Sequence, residues 1–123
     1  MAFRFLSFPV YKDVRNFIKE IYAISGKFPK EEQFGLTNQL RRAVISIALN
    51  IAEGSDRGSD NEFKRFIDIS IGSLNEVIAI LDIASDNGFI KKDEYDIMVV
   101  KAEHIVKQLS GFKKSLVKNS RCK

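Results

Sequence analysis

Residues 36–81, LTNQLRRAVISIALNIAEGSDRGSDNEFKRFIDISIGSLNEVIAIL, read as two helices joined by a short turn. Both are apolar over more than one face. An ordinary surface helix carries a single apolar stripe of a little over 100°. In the first of these helices Leu36, Leu40, Val44, Ile47 and Ile51 line one side, and Ile45, Leu49 and Ala52 line another. Such a helix has to be covered from two directions, by its own domain or by another copy of the chain.

Working outward from this stretch, the same periodicity recurs on either side. Val10, Val14, Phe17, Ile21 and Ile24 fall at alternating four- and three-residue steps, which predicts a helix over about 10–25, with Pro9 in its first turn and Gly26 just past its end. Lys12, Asn16, Lys19 and Glu20 form its solvent side. The link 27–35, with Pro29 and Gly35, has room for a single turn around Lys30–Phe34. The second helix is expected over about 36–53, with Gly54 at the position of a left-handed C-terminal residue. Ser59 and Glu62 have capping-box spacing and start the third helix, 60–86. Its core line is Phe63, Ile67, Ser70, Leu74, Val77, Leu81 and Ala84, and Asn87-Gly88 ends it. The fourth helix, about 92–117, opens with Asp93 and Glu94 at the positive end of its dipole. It carries a heptad seam of Tyr95, Met98, Ala102, Ile105, Leu109, Phe112 and Leu116. Four helices with short links predict an all-α, single-domain, up-down-up-down antiparallel four-helix bundle over residues 1–123, with a short basic tail.

Composition narrows the function classes. Hydrophobic residues make up 45% and charged residues 29%, ordinary for a globular chain long enough to bury a core. No apolar run reaches the ~20 residues of a membrane span. The start, MAFRFLSFPVYKD, lacks the long apolar core of a signal peptide, so a cytoplasmic location is expected. The net charge is +4, but Lys113, Lys114, Lys118, Arg121 and Lys123 lie in the last eleven residues with no acid among them. Residues 1–112 hold 15 basic and 16 acidic residues, so the basic character is largely a tail effect. The single cysteine, Cys122, has no partner in the chain.

Little here suggests chemistry. His104 has no second histidine or cysteine at metal-ligand spacing, and the Glu-x-x-His pairs of a dimetal bundle are missing, so neither a metal nor a cofactor is expected. EGSDRGSD has glycines near helix ends but no GxxxxGK[ST] and no preceding strand. Glu53 and Glu76 sit among apolar neighbours, where an acid needs a basic or amide partner. Arg42, Ser46, Asn50 and Glu53 form a polar stripe along the second helix, read as an interhelical network with Ser73 and Glu76 or as a partner site. Arg41, Arg42, Arg57, Lys64 and Arg65 surround the hairpin of the second and third helices. Arg41 and Arg42 stand some 15 residues, or ~22 Å, from Arg57, so they cannot form one compact patch in a monomer. In a ring of subunits these cations would line two separate belts, read either as solvated charges and intersubunit ion pairs or as phosphate contacts. Lys113, Lys114 and Lys118 suit the negative end of the fourth helix and are also candidates for phosphate contact.

The run QLRRAVISIALNIAEGSDRGSDNEFKRFIDISIGSLNEV resembles the family of 23S ribosomal RNA intervening-sequence proteins. Gln39-Leu40-Arg41-Arg42-Ala43, Asn50-Ile51-Ala52-Glu53-Gly54, Arg57, Phe63 and Gly72-Ser73-Leu74 to Glu76 carry the likeness. Tyr22, Phe28-Pro29, Glu32 and Phe34-Gly35-Leu36 extend it upstream. Ala48-Leu49 stand where the family often has Pro-Ser, which leaves the second helix unbroken, and Ser70-Ile71 replace another frequent pair. The resemblance implies a four-helix bundle assembling into a ring, a homopentamer. It also implies a kinship with accessory variability proteins of diversity-generating retroelements, which bind nucleic acid and a reverse transcriptase. The expected function is a non-enzymatic scaffold that binds RNA or DNA, a nucleic-acid enzyme such as a reverse transcriptase, or both. The alternative is a protein-interaction scaffold without nucleic acid. An enzyme would rest only on Asn50, Glu53 and Glu76.

Overall fold

The computed structural model describes the backbone of residues 2–122 and the side chains of residues 2–116. Four helices make up the domain: α1 (Pro9–Ser25), α2 (Leu36–Ser55), α3 (Asp60–Asp86) and α4 (Lys92–Cys122). Short 3-10 turns at Arg4–Ser7 and Lys30–Glu32 precede α1 and α2, and no strand occurs among the described residues.

Helix α1 packs on α2 and α4, and α3 packs on the same two. The pairs α1/α3 and α2/α4 do not approach among the described residues, so they are the diagonals of a four-helix bundle. The α2/α3 pair is the most extensive interface. All five residues of the α1 stripe and all seven of the α3 core line are buried, and of the α4 seam only Tyr95 and Phe112 are partly exposed. At the end where α1 begins, Phe8, Phe63 and Phe112 meet ring to ring, with centroids 5.1–6.4 Å apart. Arg4 lies against Phe8 and Phe63 and donates through Nε and Nη2 to the Ser55 carbonyl at 3.2 and 2.9 Å. That carbonyl lies in the last turn of α2, where intrahelical donors run out.

Gly54 is not the left-handed terminus expected of it. Helix α2 runs on to Ser55, and Gly88 is the glycine with positive φ (74°) among the described residues. The reason for glycine is proximity. A Cβ at position 54 would meet Phe66 Cβ at 2.7 Å and Phe63 Cδ1 at 2.9 Å. Gly54 lets α3 come close enough for those rings to seat against α2. The Ser59 cap forms as expected, with the Glu62 amide donating to its hydroxyl at 3.2 Å. Helix α4 extends past the expected end near 117.

The second apolar face of α2 is only partly covered within the chain: Ile45 packs against the core and Ala52 is half-buried, but Leu49 stands out. Leu49 is 62% exposed, and Ile69 and Ile83 of α3 are exposed on the same side of the bundle. Across the bundle, Ile97 and Val100 of α4 are exposed as well, Val100 at 65%. Among the described residues no helix is long and apolar enough to cross a membrane.

Candidate nucleic-acid interface

The turn between α2 and α3 brings Arg57 and Arg65 onto one aromatic ring. Their guanidinium carbons lie 4.9 and 4.8 Å from the Phe66 centroid. Arg57 is also paired with Glu53 one turn earlier, and Arg65 with Glu62 at 3.1 Å. Both pairs are exposed, Arg57 reaching back from the turn to α2 and Arg65 pairing within α3, and each is worth roughly 0–1 kcal/mol, which an incoming phosphate can replace. Lys64 makes no side-chain hydrogen bond or ion pair among the described residues. At the same end of the bundle Lys113 of α4 reaches Asp68 of α3 at 2.7 Å, and Lys114 is exposed, with no partner among the described residues. Lys118 falls outside the residues with described side chains. The structure therefore gathers the α2–α3 turn and the α4 lysines at one end.

Arg41 and Arg42 belong elsewhere, and they differ from one another. Arg42 is exposed and makes no side-chain hydrogen bond or ion pair among the described residues. Arg41 is half-buried against α1: Nε donates to Ser25 Oγ at 2.9 Å, Nη2 to the Tyr22 carbonyl at 3.3 Å, and its guanidinium covers the Tyr22 ring at 4.6 Å. It satisfies acceptors at the end of α1.

The polar network is narrower than the sequence suggests. Ser46 and Ser73 join α2 to α3 through their hydroxyls at 2.9 Å. Asn50 turns back along its own helix to the Ser46 carbonyl (2.8 Å) and hydroxyl (3.0 Å). Glu53 pairs with Arg57 of the turn that follows its helix, and Glu76 accepts from Gln39 Nε2 at 3.4 Å, an amide partner of the kind expected. Both acids are exposed, not set among apolar neighbours as the sequence suggests. Deeper in the same interface, Ser70 donates to the Ile47 carbonyl at 2.9 Å.

An open groove of about 510 Å³ runs between α1 and α4, lined by Asp13, Glu20 and His104 among others. Asp13 accepts from Gln108 at 2.7 Å and Glu20 is paired with Lys101. No cluster of three or more metal-ligating side chains occurs among the described residues.

Sequence reasoning missed the other side of α1. Both acids of that helix are drawn toward α4, whereas Lys12, Arg15 and Lys19 are exposed and make no side-chain hydrogen bond or ion pair among the described residues. Three cations on a solvent face look unremarkable in the sequence. What singles them out is the tertiary pairing of Asp13 and Glu20.

Four packed helices with unpaired cations on the surface place this chain among the four-helix-bundle proteins. It matches the 23S rRNA-intervening sequence protein family over residues 7–111, and the chain belongs to that family. Its fold is similar to the crystal structure of a protein of unknown function from the S23 ribosomal protein family of Bacteroides thetaiotaomicron. The TM-score is 0.75 at 22% identity, covering 85% of this chain and 98% of the other. No curated protein matches the chain.

Proposed function

We propose that this chain is a non-enzymatic scaffold that closes into a ring, a homopentamer, and holds nucleic acid, a nucleic-acid enzyme such as a reverse transcriptase, or both. The observation that carries the assembly is the exposure of apolar residues on two opposite sides of the bundle: Leu49, Ile69 and Ile83 on α2/α3, and Ile97 and Val100 on α4. A head-to-tail ring needs two different faces, each complementary to the other. The up-down-up-down order is supported by contacts whose numbers rise on one helix as they fall on the next. Asp13–Gln108, Glu20–Lys101 and Lys27–Glu94 do so between α1 and α4, and Gln39–Glu76 and Ser46–Ser73 between α2 and α3. Five subunits and the reverse-transcriptase partner rest on the family likeness.

The nucleic-acid part is supported by Arg42, Lys64 and Lys114, which pair with no acid among the described residues. A ring multiplies each weak basic site and raises its effective affinity. The test is solution mass by light scattering after nuclease treatment. Five copies of a 14.0 kDa chain give about 70 kDa, and a 14.0 kDa monomer sinks the ring. A titration with RNA at low salt follows, and binding has to weaken as salt rises.

A second reading, a protein-interaction scaffold without nucleic acid, is favoured by the ion pairs Arg57–Glu53, Arg65–Glu62 and Lys113–Asp68, which neutralise part of the basic end. A ring that retains a co-purified protein and shows no RNA affinity at low salt selects it.

A further inference from the structure

We infer that the outer side of α1 is a track for a single strand of nucleic acid, with Lys12, Arg15 and Lys19 on its phosphates and the Tyr22–Arg41 pair stacking one unpaired base. This inference rests on the nucleic-acid reading above and assigns the place and the strandedness of the ligand.

Lys12, Arg15, Lys19 and Tyr22 are spaced 3, 4 and 3 residues apart, so they lie within about 80° of one another around the helix and span ~15 Å along it. That makes a line one side chain wide. A duplex presents two phosphate strands and calls for charge in two rows, whereas a single strand follows one. The line is unopposed by the acids of its own helix. Asp13 is held by Gln108 and Glu20 by Lys101, both on the α4 side. Among the described residues the three cations have no partner to give up, unlike Arg57 and Arg65 at the hairpin. A phosphate arriving on α1 therefore breaks no existing pair.

The end of the line supplies an aromatic platform. Tyr22 is 41% exposed, with the Arg41 guanidinium against its ring. Arg41 is fixed in place by Ser25 Oγ and the Tyr22 carbonyl, so the pair is already ordered before a base arrives. Unpaired bases stack on aromatic rings and on guanidinium planes, and cations in line with such a platform are the recurring arrangement for single strands. Phe66 offers no comparable platform, because it is buried beneath Arg57 and Arg65.

The test is a titration of the intact protein with a labelled 16-nucleotide single-stranded RNA and with the corresponding duplex, across a salt series. The wild type is expected to prefer the single strand. Lys12→Gln/Arg15→Gln/Lys19→Gln is expected to weaken it at least tenfold. It also flattens the log–log salt slope by about 2, as expected for three lost phosphate contacts at roughly 0.7 each. Tyr22→Leu is expected to weaken the single strand about tenfold with an unchanged salt slope, and Tyr22→Phe to restore it. Circular dichroism and solution mass confirm that each variant is folded and assembled as the wild type is. If Arg57→Gln/Lys64→Gln/Arg65→Gln abolishes binding while the α1 triple variant binds normally, the track is wrong and the nucleic-acid reading survives. Equal or tighter binding of the duplex also overturns the track. A wild type that binds neither probe at low salt removes both the track and the reading beneath it.

Discussion

Gly54 on α2 and Phe66 on α3 approach so closely that a Cβ on the glycine would stand 2.7 Å from the Cβ of the phenylalanine. The clash would be with a β-carbon, which cannot move without its backbone, so substitution forces the helices apart. Gly54→Ala is expected to destabilise the domain by about 1–3 kcal/mol, the usual range for overpacking. Gly111 is the comparison, since it lies within α4 with open space where its Cβ would go. Gly111→Ala is expected to stabilise by about 1 kcal/mol through helix propensity alone. Urea unfolding of both variants checks the pair. Equal effects would mean that the approach at Gly54 is relaxed in solution.

Leu49 and Val100 test the ring from opposite sides. Either Leu49→Glu or Val100→Glu is expected to reduce the assembly to 14.0 kDa monomers with unchanged helical circular dichroism, because both positions are exposed in the single chain. Each variant keeps one intact face. Mixing them is therefore expected to produce a heterodimer of about twice the monomer mass and nothing larger, the signature of a head-to-tail contact. A variant that still dimerises on its own argues instead for a self-complementary interface through the face it keeps.

Ser70 is wholly buried and its hydroxyl donates to the Ile47 carbonyl. Ser70→Ala is expected to cost about 1 kcal/mol in thermal or denaturant unfolding, the typical net worth of one such bond. Ser70→Val should cost more, since the added methyl groups enter the tightest helix interface. If the valine variant were as stable as wild type, the hydroxyl would have no role in helix spacing.

The Tyr95 phenol is pushed above its ordinary value of 10.0, first by burial and then by the neighbouring Asp82 carboxylate, with the Lys92 ammonium opposing. The folded state thus favours the neutral phenol. This contribution to stability is full below the unfolded value near 10.0 and is lost as pH rises through the higher folded value. An alkaline absorbance titration should show a late component among the three tyrosines. Tyr95→Phe is expected to remove that component and to flatten the alkaline fall in stability. A titration in which all tyrosines ionise together near 10 contradicts the assignment.

Much of the bundle was legible because α3 and α4 bury residues at a fixed step. The line from Phe63 to Ala84 needed only the 3.6-residue period, and every member of it is buried. Gly54 shows where that legibility stops. A glycine that ends a helix and a glycine that lets a neighbour in are the same letter, and only the placement of Phe63 and Phe66 separates them. Arg41 and Arg42 are likewise adjacent in the chain, yet one is spent on α1 and the other is exposed, with no partner among the described residues. The α1 cations were invisible as a group because their distinction lies in what Asp13 and Glu20 do across the groove. Composition along one helix cannot report a partner on another.

The extensive contact between α2 and α3 also has a temporal meaning. These helices are neighbours in sequence, joined by residues 56–59, so bringing them together closes the shortest loop at the smallest entropy cost. The hairpin is then the natural folding nucleus, and φ-values at Ile47 and Leu74 should exceed those at Val14 and Leu109. Leu49, Ile69 and Ile83 all ride on that hairpin. One of the two faces through which copies would join is therefore expected to form before α1 has docked, while the other, Ile97 and Val100, has to wait for α4.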